Sequence, residues 1–284
     1  MTQNEINHIA KQKDIVKATI DKDWVLGHLL DAFYSFDDNK RNFIFKGGTC
    51  LKKCYFVDYR FSEDLDFSLL DNYFPVNGEF INRIIKRAER ESEIRFSLSE
   101  INEQVYNDIP QGYEIKIKFW GADHKPNSPV PPSERWQTYI KFDISFSETI
   151  LEKPVWKKII HPYSDTGTLL NQTIPCYSLV EIMAEKLRAL IQRNRPRDVY
   201  DVWFIMQSSV GINKRAVKEL LLKKAESKNI EIKNVEQFVN EQKQRKNKRA
   251  WESSLTQHLP AKVLPDFDMV YLDLYNFVKE ILNS

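Results

Sequence analysis

Two neighbouring segments constrain this 284-residue chain more than any others: Phe45-Lys46-Gly47-Gly48-Thr49, and then Arg60-Phe61-Ser62-Glu63-Asp64-Leu65-Asp66-Phe67. In the second, Asp64, Asp66 and Ser68 alternate with Leu65, Phe67 and Leu69. The two-residue period of a strand then puts both carboxylates on one face and the apolar side chains on the other. Adjacent carboxylates raise one another's pKa unless a cation sits between them. A donor set made only of oxygen, beside phosphate oxygens, suits magnesium. In the first segment Phe43-Ile44-Phe45 reads as a short buried strand, and Gly47-Gly48 lets the backbone approach a ligand before a helix starts near Thr49. Amide groups at a helix start favour a phosphate. Either motif alone recurs by chance in turns and at strand edges, but together and in this order they point to phosphate chemistry.

A pair of carboxylates calls for a third. In Tyr139-Ile140-Lys141-Phe142-Asp143-Ile144-Ser145-Phe146 every even position is apolar and every odd one polar, apart from the amphipathic Tyr139. Asp143 therefore points away from the core of a strand buried on its other face. Taken alone, Asp143 reads equally as a solvated residue on an exposed sheet face. Beside Asp64 and Asp66 the ligand reading gains, because two-metal phosphoryl chemistry shares carboxylates between the attacking and leaving oxygens. The alternating stretch Glu114–Phe119 is expected as the sheet neighbour of this strand. The Pro-rich segment Pro126–Pro132 between them is expected as a loop.

Helices are expected at about 3–20, 23–36 and 79–92, the last burying Phe80, Ile81, Ile84, Ile85 and Ala88. From residue 178 the pattern is helical almost throughout, ending in an amphipathic helix over about 267–282. Ser178 and Glu181 fit a capping box, and Leu179, Met183, Lys186 and Leu190 then share one stripe. Lys186 has two readings: a side chain that snorkels out of the core, or a cation reaching an anionic ligand. Pro196 breaks this helix, and Asp198 and Asp201 follow in the first turn of the next, where helix-start electrostatics is sufficient reason for them. No internal repeat is visible.

Taken together, the Gly-Gly-Thr turn, Arg60–Asp66, Glu185-Lys186-Leu187 and Arg197-Asp198-Val199-Tyr200-Asp201 resemble the AbiEii/AbiGii-type nucleotidyltransferases. These are the toxin halves of bacterial toxin–antitoxin and abortive-infection pairs, within the DNA polymerase beta-like superfamily. Lys22-Asp23-Trp24-Val25-Leu26 also resembles the family's amino-terminal region, so the likeness runs from about residue 22 to about 206. The interval between turn and aspartates is on the long side for the superfamily. Thr49 stands where many relatives outside the family have serine; neither departure removes a required chemical group. The resemblance implies an α+β fold, a small mixed nucleotidyltransferase sheet flanked by helices. It implies a catalytic domain over 1–170 and a helical lobe over 171–284 that contributes Lys186 and Asp198 to the site. It implies Asp64, Asp66, Lys186 and Asp198 as catalytic residues, with Lys46, Gly47, Gly48, Thr49, Ser62 and Arg197 binding the nucleotide. Asp64, Asp66 and Asp143 are then the metal ligands, for two Mg2+ ions. The implied substrate is an NTP, the acceptor an RNA such as tRNA, and a cognate antitoxin is a possible partner. The same phosphate turn would also serve a kinase, an NMP transferase acting on protein, or a nucleotide-binding protein without turnover.

Composition adds limits. Forty-two basic and forty acidic residues give a formal charge of only +2, so nothing in the total demands nucleic acid. Lys243–Arg249 carries five cations in seven residues and reads either as a solvated helix face or as a track for a nucleic-acid backbone. Arg188, Arg193, Arg195 and Arg197 crowd the neighbourhood of Lys186 in sequence and suit a triphosphate. Trp120, Trp136, Trp156 and Trp203 read as core or sheet-face residues. Three cysteines argue against a disulfide framework, and Cys50 and Cys54, one helical turn apart, are expected to be ordinary helix residues. The start Met1–Glu5 lacks a basic-then-apolar signal and no apolar run reaches membrane-spanning length, so a cytoplasmic location is expected.

Overall fold

Asp14 ends the first helix. In the computed structural model, which describes residues 1–122, 129–167, 171–208 and 210–284, α1 (Gln3–Lys13) is capped by the Thr2 side chain and stops where Asp14 turns left-handed, φ 54° and ψ 48°. The amides of Asp14 and Ile15 both return to the Ala10 carbonyl. The helix expected over 3–20 is therefore two pieces, because the αL turn satisfies the last carbonyls and the β-branched Ile15 and Val16 leave the helix. α2 (Lys17–Tyr34) begins there and is buried nearly all round, from Thr19 to Tyr34. α3 (Asp37–Asn42) leads into β1 (Phe43–Lys46), α4 (Gly47–Cys50), a π turn over Leu51–Tyr55 and β2 (Asp64–Leu69). α5 (Gly78–Glu91), capped by Asn77, buries the five expected residues Phe80, Ile81, Ile84, Ile85 and Ala88.

The remaining strands are β3 (Arg95–Tyr106), β4 (Ile109–Trp120), β5 (Tyr139–Ser145), β6 (Val155–Lys158) and β7 (Thr173–Cys176). With β1 and β2 they form one mixed sheet in the order β3-β4-β5-β2-β1-β7-β6. β2 runs antiparallel to β1 and parallel to β5, and β4 is the antiparallel neighbour of β5, as the alternating stretch Glu114–Phe119 predicts. Of the expected loop, 126–128 lie outside the described residues, while 129–132 carry no regular structure and Pro131 accepts a hydrogen bond from the buried Trp136 indole. Trp156 stands 55% exposed on the edge strand β6.

Chain contacts divide the protein into two units, Met1–Glu148 with Pro154–Cys176, and Thr149–Lys153 with Tyr177–Ser284. In the first, the apolar face of the central strands meets α2 and α5 through an aromatic cluster. Phe33 stacks on Phe67 at 4.4 Å between centroids, Phe43 stacks on Phe80 at 5.7 Å, and Phe142 approaches Phe33 edge-on at 5.9 Å. Such pairs each add roughly 0.5–1.5 kcal/mol beyond area burial. The second unit is helical: α6 (Leu179–Gln192), α7 (Pro196–Gln207), α8 (Lys214–Glu226), α9 (Glu241–Leu255) and α10 (Phe267–Asn283). α10 packs on α7, α8 and α9 with Phe267, Val270, Tyr271, Leu274, Phe277, Val278 and Ile281. Ser178 caps α6 by accepting from the Glu181 amide, but the expected capping box is only half formed. The Glu181 carboxylate is instead buried, accepting from the Leu151 and Glu152 amides and pairing with Lys224 at 2.9 Å. A fully buried ammonium outcompetes the cap.

A second polar device ties the first unit. Asp165 accepts from the Trp24 indole at 2.8 Å, His28 Nε2 at 2.9 Å and His161 Nε2 at 3.0 Å. Burial pushes the His161 imidazole down to about 4, against the pull of Asp165. Between about pH 6.5 and 4 the unfolded chain therefore takes up a proton here that the folded chain does not. The His161 contribution to stability is complete above that window and is lost as pH falls through it, at up to about 1.4 kcal/mol per pH unit. Asp31, which burial pushes up to about 7, works with the opposite sign, its contribution being lost as pH rises through 7. The difference between wild type and His161→Gln isolates the histidine. Urea unfolding should show the stability advantage of wild type shrinking by about 2 kcal/mol between pH 7 and pH 5; a constant difference would contradict a neutral, buried His161.

Candidate active site

The turn after β1 is built by what crowds it. Gly47 has φ +79°, and a Cβ there would fall 2.1 Å from Asp66 Oδ2. A Cβ on Gly48 would fall 2.9 Å from an Arg60 guanidinium nitrogen and 3.0 Å from Ser62 Oγ. Gly47 is therefore required by its backbone conformation as well as by contact, whereas at Gly48 a Cβ would press only on the side-chain ends of Arg60 and Ser62, which would have to shift. The helix starts at Gly47, two residues before the expected Thr49, and continues into the π turn, where the Phe56 amide donates to Leu51 at 2.9 Å. The Thr49 hydroxyl donates to the Asp64 carbonyl at 2.5 Å, which anchors the start of β2 to the turn.

β2 brings its carboxylates to this turn. Lys46 lies opposite Asp66 across the β1–β2 pair, and Asp66 lies opposite Asp143 across the parallel β2–β5 pair. Residues paired across strands share a face, so Asp64, Asp66 and Asp143 stand together, each half-buried and open to solvent, while Leu65, Phe67 and Phe142 are fully buried on the other side. Lys141, opposite Asp64, and Glu114, opposite Asp143, complete the charged face with an ion pair at 2.6 Å. That bond to Glu114 holds the Lys141 ammonium above its usual range, and the charges of Asp64 and Asp143 add to it. The pairing puts the three aspartates on one solvent-facing side of the sheet, and carboxylate oxygen is the donor type that suits a hard divalent cation.

Behind the turn lie cations that the sequence reading did not single out. Lys53 is fully buried and pairs with Asp23 at 2.8 Å, and Asp23 also accepts from the Tyr163 hydroxyl at 2.6 Å. Lys52 donates to the Val57 and Tyr59 carbonyls at 2.6 and 2.9 Å, and burial pushes its ammonium down to about 8. Their signal was two adjacent lysines inside an otherwise buried helix. Arg60 is only 4% exposed and donates to the Phe61 carbonyl at 3.1 Å.

In the second unit Lys186 donates to Asp198 Oδ1 and pairs with Asp201 Oδ2, both at 2.8 Å. Arg193 grips the same Asp198 with Nε at 2.8 Å and a terminal nitrogen at 3.1 Å. Burial pushes the Asp198 carboxyl up, but Lys186 and Arg193 outweigh it and the net shift is down. Helix-start electrostatics is thus not the whole reason for Asp198 and Asp201, since they form a buried cluster with Lys186. Arg197 is half-buried, Arg195 is the residue before Pro196 at the helix start, and the buried Arg188 donates to Gln192 at 2.6 Å. Within the basic run, Lys243 caps α6 through the Leu190 and Ile191 carbonyls, Arg245 pairs with Glu241 and Lys248 with Asp268. Three of the five cations of the run are thus engaged, while Lys246 and Arg249 stand exposed.

A mixed sheet with a Gly-Gly turn set against a strand carrying two aspartates defines a nucleotidyltransferase fold. The chain covers 99% of itself and 90% of MenT4, a nucleotidyltransferase toxin from Mycobacterium tuberculosis, at TM-score 0.66 and 17% identity. JHP933 from Helicobacter pylori matches at TM-score 0.54 and 14% identity over 94% of this chain and 93% of that one. No curated protein matches the chain in sequence. Residues 28–272 match the family model described as nucleotidyl transferase AbiEii toxin, type IV toxin–antitoxin system, and the chain belongs to that family. It is a nucleotidyltransferase of a toxin family. Among the described residues no helix is long and apolar enough to cross a membrane.

Two substitutions test this geometry. Gly47→Ala drives a methyl into the Asp66 carboxylate and should reduce nucleotidyl transfer more than 100-fold. Gly167→Ala, at φ +83° with nothing within 4 Å, should leave transfer within about twofold. Equal losses would mean that backbone strain, not the contact with Asp66, is what matters. Lys186→Met leaves Asp201 and part of Asp198 buried without the ammonium and should cost about 3–5 kcal/mol in urea unfolding. Adding Asp201→Asn should recover part of that loss, and an unchanged double variant would refute the coupling.

Proposed function

We propose that this protein transfers a nucleoside monophosphate from an NTP to the end of an RNA, tRNA foremost, in a magnesium-dependent reaction that arrests growth. The observation that carries the reading is the in-register placement of Asp66 beside Asp143, two residues from Asp64 and directly over Gly47. In the reaction an acceptor hydroxyl oxygen bonds to the α-phosphorus, the bond from that phosphorus to the β-phosphate oxygen breaks, and pyrophosphate leaves while the hydroxyl proton passes to solvent. Magnesium, when bound, offsets triphosphate charge and lowers the pKa of the acceptor hydroxyl.

The chain's own residues supply the rest. Asp64, Asp66 and Asp143 would hold the ions. Gly47 and Gly48 leave room for phosphate oxygens against the backbone, with Lys46, Ser62 and Thr49 around them. We assign Lys186 the role of a phosphate-binding cation, with Asp198 and Asp201 positioning it and Arg197 as a further cation. Charge neutralisation of this kind removes several kcal/mol from a phosphoryl-transfer barrier. The family's membership of toxin–antitoxin pairs makes a cognate antitoxin the expected protein partner, and the cytoplasm, where NTP and tRNA are found, the expected site of action.

The test uses pure protein, total RNA, Mg2+ and each NTP carrying label at the α- or the γ-phosphorus. Alpha label should enter RNA with wild type and fall more than 1000-fold in Asp64→Asn and Asp66→Asn, both with unchanged circular dichroism. Gamma label in the acceptor would indicate a kinase, and label in protein alone would exclude an RNA acceptor.

A further inference from the structure

All three cysteines of the chain, Cys50, Cys54 and Cys176, meet at one buried point, although Cys176 lies more than a hundred residues from the others in sequence. Their sulfur atoms all lie within 4.8 Å of one another. Cys50 ends α4 and Cys54 sits in the π turn that follows, so one helical turn puts both on the same side. Cys176 ends β7, the strand that pairs in parallel with β1 through Phe45 and Cys176. Cys50 and Cys54 lie in helix as expected, but the third member of the cluster comes from a distant strand, which spacing cannot reveal.

We propose that these cysteines form a three-thiolate site for zinc, separate from the carboxylates. Zinc binds thiolate sulfur at about 2.3 Å, which sets neighbouring sulfurs roughly 3.8–4.0 Å apart, a spacing compatible with a triangle whose sides are no longer than 4.8 Å. An oxygen is at hand for a fourth position, since the Tyr55 hydroxyl lies 3.8 Å from Cys176 Sγ. Three thiolates around a divalent ion leave one net negative charge, and the Lys157 ammonium, 4.9 Å from the centre of the Tyr55 ring, offsets it. Soft sulfur donors favour zinc over magnesium. The ion would clamp the helix that carries Gly47-Gly48-Thr49 to β7, and so fix the turn from behind. In a second cluster of ligating side chains among the described residues, His28, His161 and Asp165, the carboxylate already accepts from both Nε2 atoms, although His161 Nδ1 is buried without a partner.

The experiment uses the full chain, reduced, stripped with chelator, and held in excess Mg2+ so that the carboxylates do not compete. Titration with Cd2+ as the spectroscopic substitute should raise a thiolate-to-metal charge-transfer band that saturates at one equivalent per chain, and Zn2+ should abolish it. Carboxylates give no such band, so the outcome is independent of the proposed reaction. Cys54→Ala and Cys176→Ala should each lower the band by more than half. If either fails to fold, X-ray absorption on the zinc-loaded wild type decides, with three sulfurs expected around the metal. No band at one equivalent, with three thiols still titratable, would overturn the site; so would a disulfide between any two of the cysteines in freshly purified protein.

Discussion

The register of β2 between β1 and β5 is the constraint on which the first unit depends. Because side chains alternate along a strand, a slip of one residue would drive Asp64 and Asp66 into the aromatic core and expose Leu65 and Phe67. Phe33 stacked on Phe67, with Phe43, Phe80 and Phe142 around them, penalises that slip by the loss of several buried rings. Thr49 adds a hydrogen bond to the Asp64 carbonyl, which fixes where β2 begins. The same interactions that build the core therefore aim the carboxylates, and the charged face needs no separate scaffold.

Around this core the chain uses buried charge to an unusual extent. Lys53 with Asp23, Lys224 with Glu181, and Lys186 with Asp198 and Asp201 are ion pairs almost wholly removed from water. Pairs of this kind add little net stability compared with apolar residues of equal size, yet breaking one is costly because the partner is left charged and buried. Their effect is on geometry. The Lys53–Asp23 pair holds the helix after the Gly-Gly turn against α2, and the carboxylate pair around Lys186 holds its ammonium at one place on α6. Rigidity of this kind is what the proposed roles of the turn and of Lys186 in electrostatic catalysis require.

Periodicity made much of this legible before any coordinates. The alternation in Asp64–Leu69 and Tyr139–Phe146 gave the charged and apolar faces, and the 3.6-residue pattern gave the inner side of α5. What periodicity cannot encode is the partner a side chain meets. Asp198 and Asp201 had a sufficient local reason at a helix start, and only folding brings Lys186 and Arg193 onto them. Glu181 fitted a capping box until Lys224 claimed it. Lys243 looked like part of a cationic track and is the cap of α6. For Asp198, Asp201, Glu181 and Lys243 local and distant partners compete, and the distant partner prevails. The break after Lys13 is local instead, and its αL residue is an aspartate rather than the glycine that usually marks such a turn.

In the proposed reaction Asp64, Asp66 and Asp143 act together as the divalent-cation site. Mn2+ serves as the direct reporter, because its paramagnetic resonance signal in solution is lost on binding. Titrating the protein with Mn2+ in the presence of an NTP analogue that cannot be cleaved should show tight binding in wild type. Binding should be at least tenfold weaker in Asp66→Asn and in Asp143→Asn, with the fold intact. Unchanged Mn2+ binding in both variants would contradict the account, since the register that sets Asp66 beside Asp143 would then serve no cation.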